Sequence, residues 1–407
     1  MRILYLADIR FPLERANGVQ TMQTCWALAD RGHRVTLLVR PDTSAAPRDP
    51  FAYYGLAATD RLVLERVRVA GSPAARRIAY LAQACARAAR RPRADAVLTR
   101  DLGVASVLLR LPRGVRPPVV YESHGFAPEV GRELPGLVTG APPASAAKQR
   151  RLTRRERRVW RLAEGYVTMT EALASELAAR FGPRDARAVV PDGVRLPENR
   201  RFSPAPMRHP ATVAYAGHLY PWKGVEIALH ALVGLADVRG VIIGGHPAEP
   251  DLGRLERLAA DLGLGGRVTF TGPVPPPEVA ERLGEADVLV LPNTATSISA
   301  RYTSPLKLFE YLAAGKPIVA SDLPALREVL RDGETAVLVT PGDPAALGLG
   351  LRRVVSDQHL ATRLARAAFD EAVKYSWDRR AGRLERVIEM AMGRSSAGRS
   401  SREGNAR

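Results

Sequence analysis

The stretch Val190-Pro191-Asp192-Gly193-Val194, with the Pro-rich and strand-poor segment that follows it to about residue 210, divides the chain into two similar halves. On each side of it, short apolar runs alternate with segments of helical periodicity. Near-continuous apolar runs are typical of parallel strands that helices cover on both faces. The sequence therefore predicts an α/β protein of two tandem doubly wound, Rossmann-like domains, with a cleft between them at the carboxyl ends of their sheets.

The same periodicity gives the expected elements of each half. Strands in the first half are expected at 2–8, 34–39, 62–69, 95–99, 117–122 and 165–169, and helices at 18–31, 74–91, 145–163 and 170–181. Strands in the second half are expected at 211–216, 239–243, 266–271, 287–291, 317–320 and 335–339. The helices interleaved with them are expected at 223–235, 252–263, 276–284, 305–314, 324–330 and 343–356, followed by helical patterns at 358–375 and 377–393.

A length of 407 residues suits two domains of ordinary size. We expect a first domain over 1–195, a second over 196–375 and a C-terminal helix over 376–392 that crosses back to the first domain. The Ser/Gly/Arg-rich tail, 393–407, is expected to be disordered. Hydrophobic residues make up 46% of the chain and charged residues 25%, which is typical of a globular protein.

Several classes of protein are disfavoured by composition. No run approaches 18 apolar residues, so no spanning helix is expected, and the N-terminal run that meets Asp8 is typical of a first strand rather than a signal peptide. The two cysteines, Cys25 and Cys85, exclude a disulfide framework or a Cys-based zinc site. We therefore expect a cytoplasmic protein with no metal site.

The net charge of +18 is concentrated in the first half, where 33 Lys and Arg face 18 Asp and Glu. The segment Lys148–Arg161 holds eight cations and one acid, Glu156. Such a run is compatible with a solvated Arg-rich helix. It also fits a helix that lies on the anionic inner face of a membrane. No interleaved aromatic residues or nucleic-acid motif accompany it, so no nucleic-acid partner is expected.

A candidate anion site begins at Ser304-Pro305-Leu306-Lys307. Serine is a good N-cap and proline fits the first helical position, so a helix is expected to begin at Ser304, with Lys307 at its third position. A cation there opposes the helix dipole unless an anion is bound, and Glu310 on the same face could bind hydroxyl groups of that ligand. An ordinary capped helix with a surface Lys–Glu pair remains the alternative.

A second candidate follows the first strand of the second half, in Tyr215-Ala216-Gly217-His218-Leu219-Tyr220-Pro221-Trp222-Lys223-Gly224. Gly217 permits close backbone approach, and His218 and Lys223 offer two donors to one anion. The alternative is a strand–helix loop with a solvated lysine. Together, the two stretches suggest a diphosphate site, and Glu310 suggests a ribose beside it.

With these residues, the chain resembles the retaining glycosyltransferases of family 4, which have the two-domain GT-B architecture. The resemblance runs in order along the chain, excluding the tail. The matching stretches are Ala16–Gln20, Ala29–Val35, Glu122-Ser123-His124-Gly125-Phe126, Val190–Val194, Gly217–Gly224, Phe270–Val274 and Ser304–Ser321.

The resemblance implies transfer of a sugar from a nucleotide diphosphate sugar, linked to UDP or GDP, with retention of configuration. The first domain would bind the acceptor, which could be a glycan, a lipid-linked molecule or a small molecule. The second would bind the donor. No cofactor or metal is implied, and the chain contains no Asp-x-Asp motif.

By matching positions, Lys223 would act in catalysis and bind the diphosphate together with His218, beside Gly217. Backbone N–H groups of the turn Ser304-Pro305-Leu306-Lys307 would help to bind the diphosphate. Glu310 would hold the ribose and the backbone near Val274 would face the base. In the first domain, Gly18 would let a loop approach the donor phosphates, and His124 would be catalytic, beside the transferred sugar.

Two positions depart from the family pattern. A first Glu usually precedes the second by eight positions, and here Tyr302 stands there, whereas Glu310 matches the second. His218 stands where Arg is usual, and histidine is a weaker, pH-sensitive cation. Two alternatives stay open at this stage: a sugar-nucleotide epimerase or hydrolase of the same fold, and a non-catalytic basic scaffold that binds membranes.

Overall fold

A computed structural model describes residues 1–43, 46–247 and 249–403 of the chain. The chain forms two compact units. The first comprises Met1–Pro128, Ser145–Pro191 and the segment from Trp377 onward, and the second comprises Glu129–Ala144 and Asp192–Ser376. Each unit is built around one parallel sheet, which confirms the predicted fold class of two Rossmann-like halves.

The first sheet has seven strands in the order β3-β2-β1-β4-β5-β6-β7, all parallel. The predicted apolar runs form its centre, where β4, β5 and β6 are buried along their whole length. The strands are β1 Arg2–Arg10, β2 Arg34–Arg40, β3 Leu62–Arg66, β4 Ala96–Thr99, β5 Val119–Ser123, β6 Gly165–Thr168 and β7 Arg187–Val189.

Eight helices belong wholly or partly to the described residues of this unit, and Asp or Ser side chains cap several of them. Asp101, Ser72 and Ser145 each accept a backbone N–H of the helix that follows. The helices are α1 Ala16–Asp30, α2 Pro50–Tyr53, α3 Pro73–Ala89, α4 Leu102–Leu108, α5 Ala127–Leu137, α6 Ala146–Leu162, α7 Glu171–Phe181 and, at the C-terminus, α15 Trp377–Glu403.

The second sheet has six parallel strands in the order β10-β9-β8-β11-β12-β13. Its strands are β8 Ala211–Ala216, β9 Val238–Ile243, β10 Val268–Phe270, β11 Val288–Leu291, β12 Ile318–Ser321 and β13 Val337–Val339. The helices around it are α8 Val225–Val233, α9 Pro250–Asp261, α10 Val279–Gly284, α11 Leu306–Ala314, α12 Pro324–Arg327, α13 Pro344–Ser356 and α14 Gln358–Glu371. Short 3-10 or π turns occupy Pro221–Lys223, Pro276–Glu278, Ile298–Tyr302 and Ala372–Tyr375.

The strand order places a crossover point in each sheet. In the second sheet the order reverses between β8 and β11, so the loops that leave these two strands diverge and open a crevice at the carboxyl edge. The loop after β8 carries Gly217 and Lys223, two of the predicted site residues. The fold therefore brings that loop to the place where doubly wound sheets bind ligands.

The units differ from the expected domains in two respects. The division falls after Pro191 rather than at residue 195, and Glu129–Ala144, expected in the first domain, groups with the second. That grouping rests on contacts distant in sequence: Thr139 Oγ1 donates a 2.9 Å hydrogen bond to Asp251 Oδ2. The sequence near residue 139 carries no local signal for such a contact.

The C-terminal segment returns to the first unit through α15, where Arg31 of α1 pairs with Glu385 at 2.8 Å. Helix α15 continues to Glu403, past residue 393, where the expected tail begins. No proline interrupts this stretch, and each further residue adds one hydrogen bond to a helix that already exists. Residues 404–407 lie outside the described residues.

Four elements were not foreseen: β7, α4, α5 and the four-residue helix α2. The first is a three-residue strand whose residues are only half buried, so it lacks the apolar run that marks the other strands. Helix α4 has seven residues and α5 contains Pro135, which obscures a helical pattern. Among the described residues, none of the helices has a stretch both long and apolar enough to cross a bilayer.

Helix α8 lies between two glycines that differ sharply in their constraints. Gly224 has φ +74°, and a Cβ there would lie 1.8 Å from the Pro292 carbonyl oxygen. Gly234, at the other end of the helix, has φ −79° and open space around its Cα. Left-handed backbone and a clash with main chain both penalise any side chain at the first position.

We predict that Gly224→Ala lowers the free energy of unfolding by about 2–4 kcal/mol, from the left-handed conformation and the displaced strand end. Gly234→Ala is the matched control and should be neutral or stabilising by about 0.4–1 kcal/mol, since alanine restricts the unfolded chain. Urea denaturation of both variants measures the difference. Equal stabilities would contradict the close approach at Gly224.

Candidate functional site

The loop after β8 starts with Gly217, which turns the chain sharply. Its φ is +126°, and its N–H donates a 2.8 Å hydrogen bond to the Ile243 carbonyl at the end of β9. Gly244 follows Ile243 with φ +120°, and a Cβ on it would lie 2.5 Å from the Gly217 carbonyl oxygen. The main chains at the ends of β8 and β9 are therefore in direct contact, which is possible because Gly217 and Gly244 have no side chains.

His218 is held by a carboxylate that the sequence analysis did not single out. Its Nδ1 is in hydrogen-bond contact with Glu249 Oε1, and the Leu219 N–H donates to Glu249 Oε2 at 3.0 Å. The imidazole also stacks on Tyr220, with 5.3 Å between ring centroids. Although burial alone raises the pKa of the Glu249 carboxyl, the bonds from His218 and Leu219 lower it below its ordinary value. Glu249 therefore stays ionised.

Lys223 ends the 3-10 turn Pro221–Lys223, and α8 begins two residues later at Val225 rather than at Lys223 as expected. Gly224 between them adopts a left-handed conformation, which stops the turn from joining the helix. The Lys223 Nζ lies 3.6 Å from the centroid of the Trp222 ring. Burial lowers the pKa of this amine to about 7.

The start of α11 differs from the predicted capped helix. The Ser304 hydroxyl accepts a 3.0 Å hydrogen bond from the Asp192 N–H, and Pro305, in an extended conformation, occupies the N-cap position. The helix therefore begins at Leu306, and Lys307 is its second residue rather than its third. Since no side chain caps this helix within the described residues, the first-turn N–H groups keep their capacity to bind an anion.

Lys307 has a buried side chain whose amine lacks a hydrogen-bond partner among the described residues. Only 7% of the residue is exposed. The amine lies 3.6 Å from the centroid of the Tyr215 ring. Burial, and next the positive charge of Lys223, hold the pKa of Lys307 well below its ordinary value, and Glu310 offsets this in part.

Gly217, Lys307, Lys223 and Glu310 come together. The position of a Cβ on Gly217 is 3.6 Å from Lys307 Nζ, so the loop after β8 meets the first turn of α11. Glu310 follows one turn along α11, where burial raises the pKa of its carboxyl to about 7 and Lys307 counteracts this. Lys307 is buried and Lys223 is half buried, and an anionic ligand at this place would favour the protonated, cationic form of both amines.

The remaining predicted residue of this unit, Val274, lies in the loop after β10. It is half buried and packs against the core beneath α11. Gly272 precedes it with φ +71° and forms an isolated bridge with Gly244. The loop that carries Val274 is thereby tied to the end of β9, which is one strand away from β8.

Asn293 is a further polar residue at this edge that the sequence analysis missed. It follows β11, across the crossover point from β8, and is fully buried. Neither its amide nitrogen nor its amide oxygen has a hydrogen-bond partner in the described chain. A polar residue immediately after the apolar run Val288–Leu291 and Pro292 is the signal that could have identified it.

Tyr302, at the position where the family usually has its first Glu, is buried in the π turn before α11. Its hydroxyl donates a 3.3 Å hydrogen bond to Glu129 Oε2, and Arg301 pairs with the other oxygen of that carboxylate at 2.6 Å. A carboxylate therefore lies beside this position, supplied from the segment Glu129–Ala144.

The two predicted residues of the first unit have different surroundings. Gly18 lies in the first turn of α1 and not in a loop, and a Cβ there would lie 2.2 Å from the Leu13 carbonyl and 2.4 Å from the Tyr54 hydroxyl. The close approach that requires glycine is thus made by the unit's own chain. His124 follows β5, and its Nε2 is 2.6 Å from Glu122 Oε1.

His124 is neutral at physiological pH. Burial and the positive charge of Arg100 lower the pKa of its imidazole to about 4, against the opposing effect of Glu122. It therefore cannot serve as a cation near pH 7. Among the described residues, no three His, Cys, Asp or Glu side chains gather as a metal site.

The basic run forms α6, with Glu156 on its buried face and most of its cations in solvent. The groups around Arg155 include cations from neighbouring elements. Burial, and then the positive charges of Arg151, Arg77 and Arg110, lower the pKa of its guanidinium. Cations from α3 and from the end of α4 therefore lie near α6.

Family models match both halves of the chain. Residues 17–193 match a model described as glycosyl transferase 4-like domain, and residues 210–357 match glycosyl transferases group 1. A D-inositol 3-phosphate glycosyltransferase 1 of Catenulispora acidiphila is 30% identical over 310 residues, covering 71% of this chain and 70% of that protein. The chain belongs to the group 1 glycosyltransferase family.

A second relative of the chain is a D-inositol 3-phosphate glycosyltransferase of Streptomyces bingchenggensis, 30% identical over 301 residues. The match covers 68% of this chain and 62% of the relative, so the chain spans under two thirds of that protein's length. Part of that relative's length therefore has no counterpart in the alignment.

Solved structures share the fold at low sequence identity. Sucrose-phosphate synthase from Thermosynechococcus elongatus has a TM-score of 0.75 at 18% identity, covering 97% of this chain and 99% of that one. Alr3699/HepE of Anabaena, in complex with UDP-glucose, has a TM-score of 0.70 at 17% identity, covering 98% and 100%. The chain thus has the GT-B fold.

We predict that Lys307→Met stabilises the ligand-free protein by about 1–3 kcal/mol at pH 7, because an unpaired buried amine is replaced by an apolar side chain of similar shape. The lysine pKa is depressed in the folded state, so the unfolded chain binds the proton more tightly and wild-type stability rises as the pH approaches 10. This rise should be smaller in the variant. Urea denaturation at several pH values measures both effects.

Lys374→Met is the control, since Lys374 is exposed and pairs with Glu371 at 2.9 Å on the surface. Its stability should change by no more than about 1 kcal/mol. A loss of stability in Lys307→Met would mean that the amine has a partner in the folded protein.

Proposed function

We propose that this protein is a retaining glycosyltransferase that moves a sugar from a UDP- or GDP-linked donor to a glycan, a lipid-linked molecule or a small-molecule acceptor. The observation that carries the proposal is the buried Lys307 amine, unpaired and beside Gly217. A diphosphate is the ligand chemistry that such an amine, a second lysine and an uncapped helix start fit best. The Anabaena relative in fold was solved with UDP-glucose, which supports a nucleotide sugar as donor.

In this proposal, Lys223, Lys307 and the backbone N–H groups of Leu306 and Lys307 bind the diphosphate. Glu310, one turn further on α11, accepts hydrogen bonds from the ribose hydroxyls, and the backbone near Val274 faces the base. His218, held by Glu249, adds a further side chain that contacts the diphosphate. No step of this scheme requires a metal ion, because the lysines supply the positive charge that the leaving group needs.

The chemical step follows from the charge at the diphosphate. As the bond between the anomeric carbon and the phosphate oxygen breaks, negative charge grows on the leaving diphosphate, and Lys223 and Lys307 stabilise it more strongly than in the ground state. The acceptor hydroxyl attacks the same face and gives its proton to the departing phosphate oxygen. Configuration is thereby retained without a pair of catalytic carboxylates. His124 binds a hydroxyl of the transferred sugar.

The central test is a panel of UDP- and GDP-sugars with candidate acceptors, inositol phosphates included because two relatives are named for them. We expect wild-type protein to transfer sugar and to be stabilised thermally by one of the two nucleoside diphosphates. Lys307→Met should lose transfer by at least about 100-fold, since a charge-assisted contact to the leaving group is removed. Because this variant is expected to fold more stably, the loss cannot come from unfolding.

Lys374→Met, in the same assay, should retain wild-type turnover. Donor consumption without any acceptor would instead identify a hydrolase or epimerase. Thermal stabilisation by neither nucleotide would contradict the donor site itself.

The proposal also includes an anionic surface, either that of the acceptor or that of a membrane. The basic face of α6 is the part of the chain that would contact it. Its exposed arginines at positions 150, 154, 157 and 161 follow one another along a single side of the helix. Arg110, which follows α4, adds a further positive charge near it. We therefore include the inner face of a membrane as a partner in the proposal.

Vesicle flotation tests this part. Each arginine near an anionic surface contributes roughly 1 kcal/mol, so replacing Arg150, Arg154, Arg157 and Arg161 by Gln should lower binding to phosphatidylglycerol vesicles by about 100- to 1000-fold at low salt. The matched control replaces four exposed arginines of the second unit, Arg352, Arg353, Arg363 and Arg366, and should leave binding nearly unchanged. Equal recovery of wild-type protein on neutral and anionic vesicles would reject the membrane partner.

A further inference from the structure

Glu122 lies on β5 at the centre of the first sheet and is completely buried. A buried ionised carboxylate is costly unless charge and hydrogen bonds compensate it. Gln20 and His124 both donate to its Oε1. Although burial raises the pKa of Glu122, the charge of Arg380 and the bond from His124 lower it well below its ordinary value. Glu122 is therefore ionised.

The counter-charge comes from the C-terminal helix. Arg380 of α15 is 2% exposed, and its Nη2 donates to Glu122 Oε2 at 2.6 Å. Its Nη1 donates to Thr24 Oγ1 of α1 at 3.0 Å, which fixes the plane of the guanidinium. All three residues belong to the first unit. The last helix of the chain thus completes a buried ion pair in the sheet.

The ion pair decides which ring nitrogen of His124 carries the proton. An ionised carboxylate only accepts, so Nε2, 2.6 Å from Glu122 Oε1, must be the N–H donor. The imidazole is neutral, since burial and the charge of Arg100 lower its pKa to about 4. The other nitrogen, Nδ1, then has a lone pair and no proton. With 24% of the side chain exposed, the ring is accessible to a ligand.

We propose that Arg380 is a positioning residue: it keeps Glu122 ionised, and Glu122 in turn fixes the Nε2–H tautomer of His124, so that Nδ1 accepts a hydrogen bond from a hydroxyl group of the bound sugar. This inference rests on the proposed function for the identity of the ligand. The assignment of the tautomer depends only on contacts within the first unit.

Other groups around the pair do not replace Arg380. Tyr5 of β1 and Cys25 of α1 are buried near Glu122, and its negative charge and their burial raise the pKa of both, so both stay neutral. Arg100, after β4, donates to Gln20 Oε1 at 2.8 Å and not to Glu122. Arg380 is therefore the cation in direct contact with the carboxylate among the described residues.

Loss of Arg380 would leave a buried carboxylate beside a neutral imidazole, and the pair would take up a proton. If the proton goes to the ring, His124 becomes an imidazolium with N–H at both nitrogens. If it goes to the Glu122 oxygen facing His124, the ring accepts it at Nε2 and carries its own proton on Nδ1. In both cases Nδ1 changes from an acceptor to a donor and no longer accepts a hydroxyl. A proton on Oε2, the oxygen that Arg380 leaves, would instead keep the Nε2–H tautomer, and that outcome would contradict the inference.

The test compares Arg380→Met with wild type by nitrogen-15 NMR of histidine-labelled protein, with His124→Gln used to assign the signal. Wild type should show an unprotonated Nδ1 at pH 7, and Arg380→Met a protonated one. In the transfer assay, kcat/KM of Arg380→Met should fall about 10- to 100-fold, the range that corresponds to leaving one polar group of the bound sugar without its hydrogen-bond partner. Arg380→Lys, which keeps the charge, should retain the wild-type tautomer.

Two controls separate positioning from stability. Arg31→Met removes another contact between α1 and α15, the pairs of Arg31 with Asp378 and Glu385, and should lower the melting temperature without changing the His124 signal or kcat/KM. The double variant Glu122→Met/Arg380→Met removes both buried charges. It should regain thermal stability relative to Arg380→Met while its kcat/KM stays low, because His124 has lost the acceptor that fixed its tautomer.

An unchanged His124 tautomer in Arg380→Met would overturn the inference whatever the activity. Wild-type kcat/KM in the double variant would also overturn it, since Arg380 would then only balance a charge. If wild type transfers no sugar from any donor, the proposed function fails, and the tautomer change by itself still supports the role of Arg380.

Discussion

The second unit is organised around one constraint: the Lys307 amine is buried against the Tyr215 ring with no hydrogen-bond partner among the described residues. An unpaired buried amine costs free energy, and a nearby second lysine adds to the cost. The uncapped start of α11 adds backbone N–H groups, which are also hydrogen-bond donors, beside this amine. The protein thus carries a local instability at the place where an anion would remove it.

Much of the fold could be predicted from the sequence because buried parallel strands are near-continuous apolar runs. Strand β7 escaped because its three residues, Arg187–Val189, are half buried. The grouping of Glu129–Ala144 with the second unit also escaped, since it depends on partners such as Asp251 that are far away in sequence. The helical course of the tail to Glu403 was hidden by composition: serine and glycine suggest disorder, but nothing there interrupts a helix already formed.

The candidate site could be predicted where a residue type conflicts with its local position, as a lysine does at a helix start. Ser304 was misassigned because the sequence does not reveal that its hydroxyl bonds to the Asp192 N–H instead of capping the helix. Glu249, Asn293 and Arg380 were missed for a related reason. Each is ordinary in its own segment, and its importance depends on a neighbour that folding brings from elsewhere in the chain.

The two units differ in continuity. Apart from Glu129–Ala144, the second is made of one uninterrupted stretch, Asp192–Ser376, whereas the first needs α15, which follows that stretch. The ribosome adds about 5–20 residues per second, so the strands of the first sheet would be translated well before α15. Arg380 could neutralise Glu122 only after α15 had been synthesised. The first unit would therefore be synthesised first and complete its folding last. Until then the Glu122 carboxylate, which is buried in the folded protein, would be accessible to solvent and chaperones.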